Sequence, residues 1–203
     1  LNLCDKNMEK IATSTTTNKL LGEVCMAAKY EGQSIKTDYT IHQEKYKDTG
    51  TASQLCTVLA RSFADIGDIV RGRDLYLGNP QESAQRKQLE NNLKTIFKNI
   101  YEKLLDDNKT RGKQNGEIEK RYGSDTENYY QLREDWWTAN RHTVWEAITC
   151  NAWGNTYFRK TCSDTHGSSV ANQYCRCNGD KPDNDMVNID PPTYFDYVPQ
   201  YLR

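Results

Sequence analysis

The sequence predicts a mainly α protein: a disulfide-stabilised helical bundle with long irregular loops. Three observations carry that expectation. Apolar side chains recur at helical spacings over several stretches, whereas strand-type alternation is nearly absent. Three of the four tryptophans, Trp136, Trp137 and Trp145, fall in one uninterrupted run, R-E-D-W-W-T-A-N-R-H-T-V-W-E-A-I-T-C, from Arg133 to Cys150. Seven cysteines are many for a cytosolic chain of 203 residues and fit an oxidising, extracellular setting.

Taken in order, residues 1–17 carry Cys4 and a loop-like T-S-T-T-T tract. Asn18 is expected to cap a helix reaching about Tyr30, with Leu20, Leu21, Val24 and Ala28 on one side and Gly32 as its stop. Residues 31–50 read as polar and irregular. A second helix is expected from about Ala52 to Val70, on the stripe Leu55, Leu59, Phe63, Ile66 and Val70. Gly67 interrupts it, which predicts close approach of another element, and Gly72 ends it. The third helix has the clearest start: Asn79 as cap, Pro80 in the first position and Glu82 three residues after the cap. Its stripe is Leu89, Leu93, Ile96, Ile100 and Leu104, and it is expected to end near Asp106. Residues 106–127 are almost wholly polar and read as an exposed, mobile loop. The tryptophan helix follows, over about Glu127–Thr149. Each aromatic it buries removes ~150–250 Å² from water, so it should anchor the core. The closing P-P-T-Y-F-D-Y-V-P-Q-Y-L-R is expected to be extended first and then to begin another helix near Pro199.

Composition bounds the function classes. The chain can form one domain with a sizeable core or two small ones. Mean hydropathy is −0.92, and 27 basic residues balance 28 acidic ones. A global basic field for nucleic acid is therefore not expected; any anion site must be a local patch. No run of 18 apolar residues or signal-peptide pattern occurs, so no direct membrane insertion is expected of this segment. The odd cysteine count and the abrupt ends suggest a piece of a longer polypeptide, with one cysteine partner outside it.

Catalytic constellations are weak. His42, His142 and His166 are the only histidines. Cys162, His166, Cys175 and Cys177 resemble a zinc set, but C-x3-H followed by C-x-C lacks the usual C-x2-C spacing, and disulfides are favoured. Neither a metal nor another cofactor is expected. Glu134 and Asp135 are adjacent on a helix and point to different sides, so they form no acid/base pair. With none of the common nucleophile, phosphate or dinucleotide motifs present, an enzyme is not expected. Local basic clusters remain. Arg71 and Arg73 flank Gly72. Arg86, Lys87, Lys94 and Lys98 line part of the third helix, and Lys109, Arg111 and Lys113 lie in the polar stretch. Together they are candidate contacts for a sulfated polysaccharide.

Three segments carry a family resemblance. A-R-S-F-A-D-I-G-D-I-V-R-G-R-D-L-Y-L-G-N (Ala60 to Asn79), the tryptophan run from Leu132 to Cys150, and the closing segment from Pro191 to Arg203 resemble the Duffy-binding-like alpha domain of the variant erythrocyte membrane proteins of Plasmodium falciparum. L-C-D-K-N-M-E-K and E-V-C-M-A-A-K-Y-E-G near the start fit it as well. The resemblance implies a Duffy-binding-like helical bundle in which residues 1–50 end the first subdomain and link it onward. Residues 51–203 would form the second subdomain, and the C-terminal subdomain would be absent. It implies an extracellular adhesion module on the infected red cell, part of a larger membrane-anchored protein. Its partners would be a host erythrocyte or endothelial receptor, a sulfated glycan such as heparan sulfate, blood-group sugars in rosetting, and antibodies. The alternative is a structural spacer and antigenic display domain. For the cysteines, the resemblance implies a bridge from Cys56 to Cys175 or Cys177, with Cys162 taking the other. Cys25 and Cys150 are left to pair with each other, and Cys4 with a partner upstream.

Overall fold

The computed structural model describes residues 6–14, 16–45, 55–75, 79–112, 114–152, 162–164, 167–169, 171, 174–177 and 191–203. Cys4, Lys113, His166 and the expected helix start at Ala52 lie outside them. The elements are α1 (Lys6–Glu9), α2 (Thr17–Lys45), α3 (Leu55–Arg71), α4 (Pro80–Thr110), α5 (Gly116–Tyr122), α6 (Tyr130–Thr149), β1 (Cys162–Asp164) and β2 (Gly167–Ser169). Two 3-10 turns, Phe195–Tyr197 and Gln200–Leu202, stand where a closing helix was expected. The fold is mainly α. Among the described residues the strands are one short antiparallel pair, with Cys162 opposite Ser169.

Local chemistry explains the boundaries. α4 starts with a complete capping box: the Asn79 side chain accepts the Glu82 N–H at 2.9 Å, and the Glu82 carboxylate accepts the Asn79 N–H at 3.3 Å. α3 ends in a Schellman turn. The Gly72 N–H donates to the Ile69 carbonyl and the Arg73 N–H to the Asp68 carbonyl, with Gly72 at φ +71°. At α2 the cap is Thr16 rather than Asn18. Its hydroxyl accepts the Lys19 N–H at 3.4 Å and its carbonyl the Leu20 N–H at 2.9 Å. α6 begins at Tyr130, because Asp125 accepts the Tyr130 N–H at 2.6 Å through its side chain.

The described residues divide into two compact units. One comprises Val24–Gly67 with Arg141–Arg203. Its buried side chains include Val24, Leu59, Phe63, Ile66, Trp145 and Ile148. The Trp145 ring meets Phe63 edge-on at 5.2 Å, a favoured aromatic geometry. Its indole N–H donates to the Cys175 carbonyl at 3.1 Å. Gly32 does not stop α2; it lies inside that helix and is buried. A Cβ there would collide with the Ile148 carbonyl, 2.9 Å from its carbon, so the glycine permits close packing of α2 on α6. Gly67 is buried within α3.

The other unit comprises Asp5–Glu23 with Asp68–Asn140. Leu89, Leu93, Ile96, Phe97, Ile100 and Tyr101 form the buried stripe of α4, and Leu104 emerges at its margin. Trp136 and Trp137 are buried, and Trp136 meets Phe97 edge-on at 6.2 Å. The stretch expected to be a loop holds the last turn of α4 and the whole of α5. α5 buries no residue. It is fastened to α6 by Arg121, whose guanidinium forks onto the Asp135 carboxylate at 2.6 and 2.7 Å.

Candidate functional site

The nine basic candidates do not form one patch. Arg71 is fully buried: it donates to Asp68 at 3.0 Å and to Glu134 at 3.2 Å, with its guanidinium 5.8 Å from the Trp137 ring centre. A glycan cannot reach it, so Arg71 leaves the candidate set. The reason is its position as the last residue of α3, where two carboxylates and an aromatic face enclose it. Arg73 is exposed but pairs with the other Glu134 oxygen at 2.7 Å. Glu134 thus serves two arginines while Asp135 holds Arg121, so the adjacent carboxylates do point apart.

Arg86, Lys87 and Lys94 do come together. They line a cleft of about 330 Å³ beside Asp74, Ser83, Glu90 and Tyr130. Three cations face two carboxylates there, and both carboxylates have cationic partners. Asp74 lies 3.8 Å from Arg86. Glu90 is gripped by both terminal nitrogens of Arg133, at 2.7 and 2.8 Å. Among the described residues, Lys87 and Lys94 carry no ion pair. Lys98, one turn on, is exposed and sits 3.9 Å from Glu102. Lys109 and Arg111 are exposed at the far end of α4, more than 20 residues from Arg86. At 1.5 Å of rise per residue that is about 35 Å along the helix. Lys113 is outside the described residues.

Sequence reading missed Arg133. It is fully buried and, besides Glu90, donates to the Val70 carbonyl at 2.6 Å and the Ile69 carbonyl at 3.1 Å. Its guanidinium lies 5.7 Å from the Phe97 ring centre. It fixes one wall of the cleft, since Glu90 and Ile69 both line it. The available signal was its helical spacing with the apolar face of α6: Leu132 precedes it, and Trp136 and Trp137 follow within about one turn. Arg141 is a second case. It is buried, donates to both Asp196 oxygens at 2.8 and 2.9 Å and to the Thr193 carbonyl, and is ringed by Phe63, Tyr194 and Tyr197.

Two disulfides close the cysteine-rich part. Cys56 is joined to Cys175 with Cα atoms 5.6 Å apart, and Cys162 to Cys177 at 5.4 Å. Cys25 and Cys150 are free thiols, which corrects the expected bridge between them. The Cys25 thiol lies in the field of Glu146, which is in the last turn of α6, four residues before Cys150. Burial first, and then that carboxylate, push it up to about 11. No group of His, Cys, Asp and Glu able to hold a metal occurs among the described residues.

The Duffy binding domain family matches residues 1–203. No curated protein sequence matches. Among solved structures, the chain is similar to the NTS-DBL1(alpha-1) domain of the Plasmodium falciparum membrane protein 1 (PfEMP1) from the varO strain. The two are 38% identical with a TM-score of 0.67, over 98% of this chain and 39% of that one. It is also similar to the NTS-DBL1-alpha and CIDR-gamma double domain of PfEMP1 from the same strain, at 37% identity and a TM-score of 0.69, over 98% of this chain and 25% of that one. The chain therefore spans about two fifths of the first solved domain and a quarter of the second. With the family matched over every residue and the fold shared at this identity, the chain belongs to the Duffy-binding domain family.

Proposed function

We propose that this chain is part of an extracellular adhesion module on the infected erythrocyte, within a larger membrane-anchored variant antigen, and that it acts by binding rather than by catalysis. Residues 1–50 would close the first subdomain and 51–203 would form the second. The observation that carries the reading is the family match over the whole chain together with its likeness to a PfEMP1 domain. Two disulfides suit the extracellular setting. Among the described residues, no helix is long and apolar enough to cross a membrane.

A host receptor or sulfated glycan, of the heparan sulfate class or a blood-group sugar in rosetting, would meet the cleft of Arg86, Lys87 and Lys94, with Lys98 at its margin. Lys87 and Lys94 are the strongest candidates, because the cleft carboxylates are held by arginines. Lys87→Glu combined with Lys94→Glu should weaken retention on heparin at low salt. The difference should fade towards ~1 M salt, where the screening length is about 3 Å. Equal retention of parent and variant at low salt would remove the cleft from the binding surface.

The second reading is a spacer and antigenic display domain. The burial of Arg71 and the wide separation of the basic residues along α4 favour it. Residues 106–127 would be its antibody-facing stretch, and heparin retention would then be absent at every salt concentration.

A further inference from the structure

We infer that Asn115 is a site of spontaneous modification, at which loss of the side-chain amide converts a neutral residue into aspartate or isoaspartate at the start of α5. The sequence places Asn115 directly before Gly116. In an Asn-Gly pair the glycine backbone nitrogen attacks the asparagine Cγ, a five-membered imide forms and ammonia leaves. Water then opens the ring at either carbonyl, giving the α- or the β-linked carboxylate. Nothing but water is consumed.

Three features leave this pair open to the reaction. The Asn115 side chain makes no capping hydrogen bond, although the residue occupies the cap position of α5. Its Oδ1 is buried and has no hydrogen-bond partner among the described residues. Nothing in that register holds the amide in place, whereas the Asn79 side chain at the start of α4 is locked by the Glu82 N–H. Second, Gly116 is the first residue of its helix, so its N–H is one of the donors a helix leaves without an internal acceptor. Third, the space around Gly116 is empty: a Cβ built there meets nothing within 4 Å. A ring closing between the two residues has room, and glycine offers the backbone freedom that closure needs. α5 itself buries no side chain, so little packing resists local opening.

The test is incubation of the folded chain in mildly alkaline buffer, followed by ion exchange and peptide mapping by mass spectrometry. The peptide containing Asn115 should gain one negative charge and appear in aspartyl and isoaspartyl forms. The other Asn-Gly pair, Asn178–Gly179, is read from its own peptide. Gly116→Ala, which the empty space accommodates, should slow the conversion without disturbing the helices by circular dichroism. Asn115 that stays amidated in the folded chain while the urea-unfolded chain converts would overturn the inference. So would a Gly116→Ala chain that converts as fast as the parent.

Discussion

Gly32 shows two effects of opposite sign at one residue. Inside a helix, alanine is favoured over glycine by ~1 kcal/mol, so Gly32→Ala should stabilise α2 if propensity ruled. The added Cβ, however, would run into the Ile148 backbone carbonyl, which cannot rotate away as a side chain can. Overpacking of this kind costs ~1–3 kcal/mol. A net loss of stability is therefore expected, read as a lower urea midpoint with an unchanged slope. Cys25 gives a pH prediction. Its thiol ionises near 9.0 in an exposed chain and near 11 in the native unit. A raised native value means that the contribution is fully present below pH 9 and lost as pH rises through about 11. Alkylation of Cys25 in the native chain should accordingly stay slow at pH 9 and rise steeply two pH units later than in urea. A native rate equal to the unfolded one would contradict the burial assigned to this thiol.

At the scale of elements, α5 is pinned to α6 through one carboxylate. Asp135 accepts two bonds from Arg121 and one each from Tyr122 and Gln131, and the Arg121 bonds hold its ionisation below the ordinary 3.8. A depressed native value places the stabilisation above pH 3.8 and removes it as pH falls through the lower folded value. Asp135→Asn should free α5 at neutral pH, seen as faster amide exchange over Gly116–Tyr122 with α4 and α6 unchanged. Unchanged exchange in that segment would show that other contacts hold it. This pin explains why α5 was not legible in the sequence. The helix is two turns long and carries only Ile118 and Tyr122 as apolar residues, neither of them buried, so its hold on α6 comes from a partner 14 residues away rather than from a periodic stripe. α2 was under-read for a similar reason, because Gly32 resembles a helix stop until Ile148 is placed beside it. α4 was legible from its cap and stripe, which are local. The basic set was only partly legible: charge can be read from the chain, but the burial of Arg71 depends on Glu134, 63 residues away.

At the scale of the molecule, the Cys56–Cys175 bridge encloses a loop spanning 119 residues, and Cys162–Cys177 spans 15. In the chain-entropy description a loop of about a hundred residues contributes ~4.7 kcal/mol, and one of 15 about 3. Replacing Cys56 and Cys175 together by serine should therefore lower stability more than replacing Cys162 and Cys177, as judged by denaturant midpoints. The reverse order would mean that strain or residual structure outweighs loop entropy. The larger bridge also governs what a protease can achieve. Arg111 and Lys120 are exposed trypsin targets within the enclosed stretch. A single cut at either leaves two pieces still joined through sulfur, so a nicked molecule keeps its mass apart from one added water. It should run as one band on a gel without reductant and separate into two only when thiol is added. Proteolytic damage to this polar stretch would thus escape any separation by size that does not first break the Cys56–Cys175 bond.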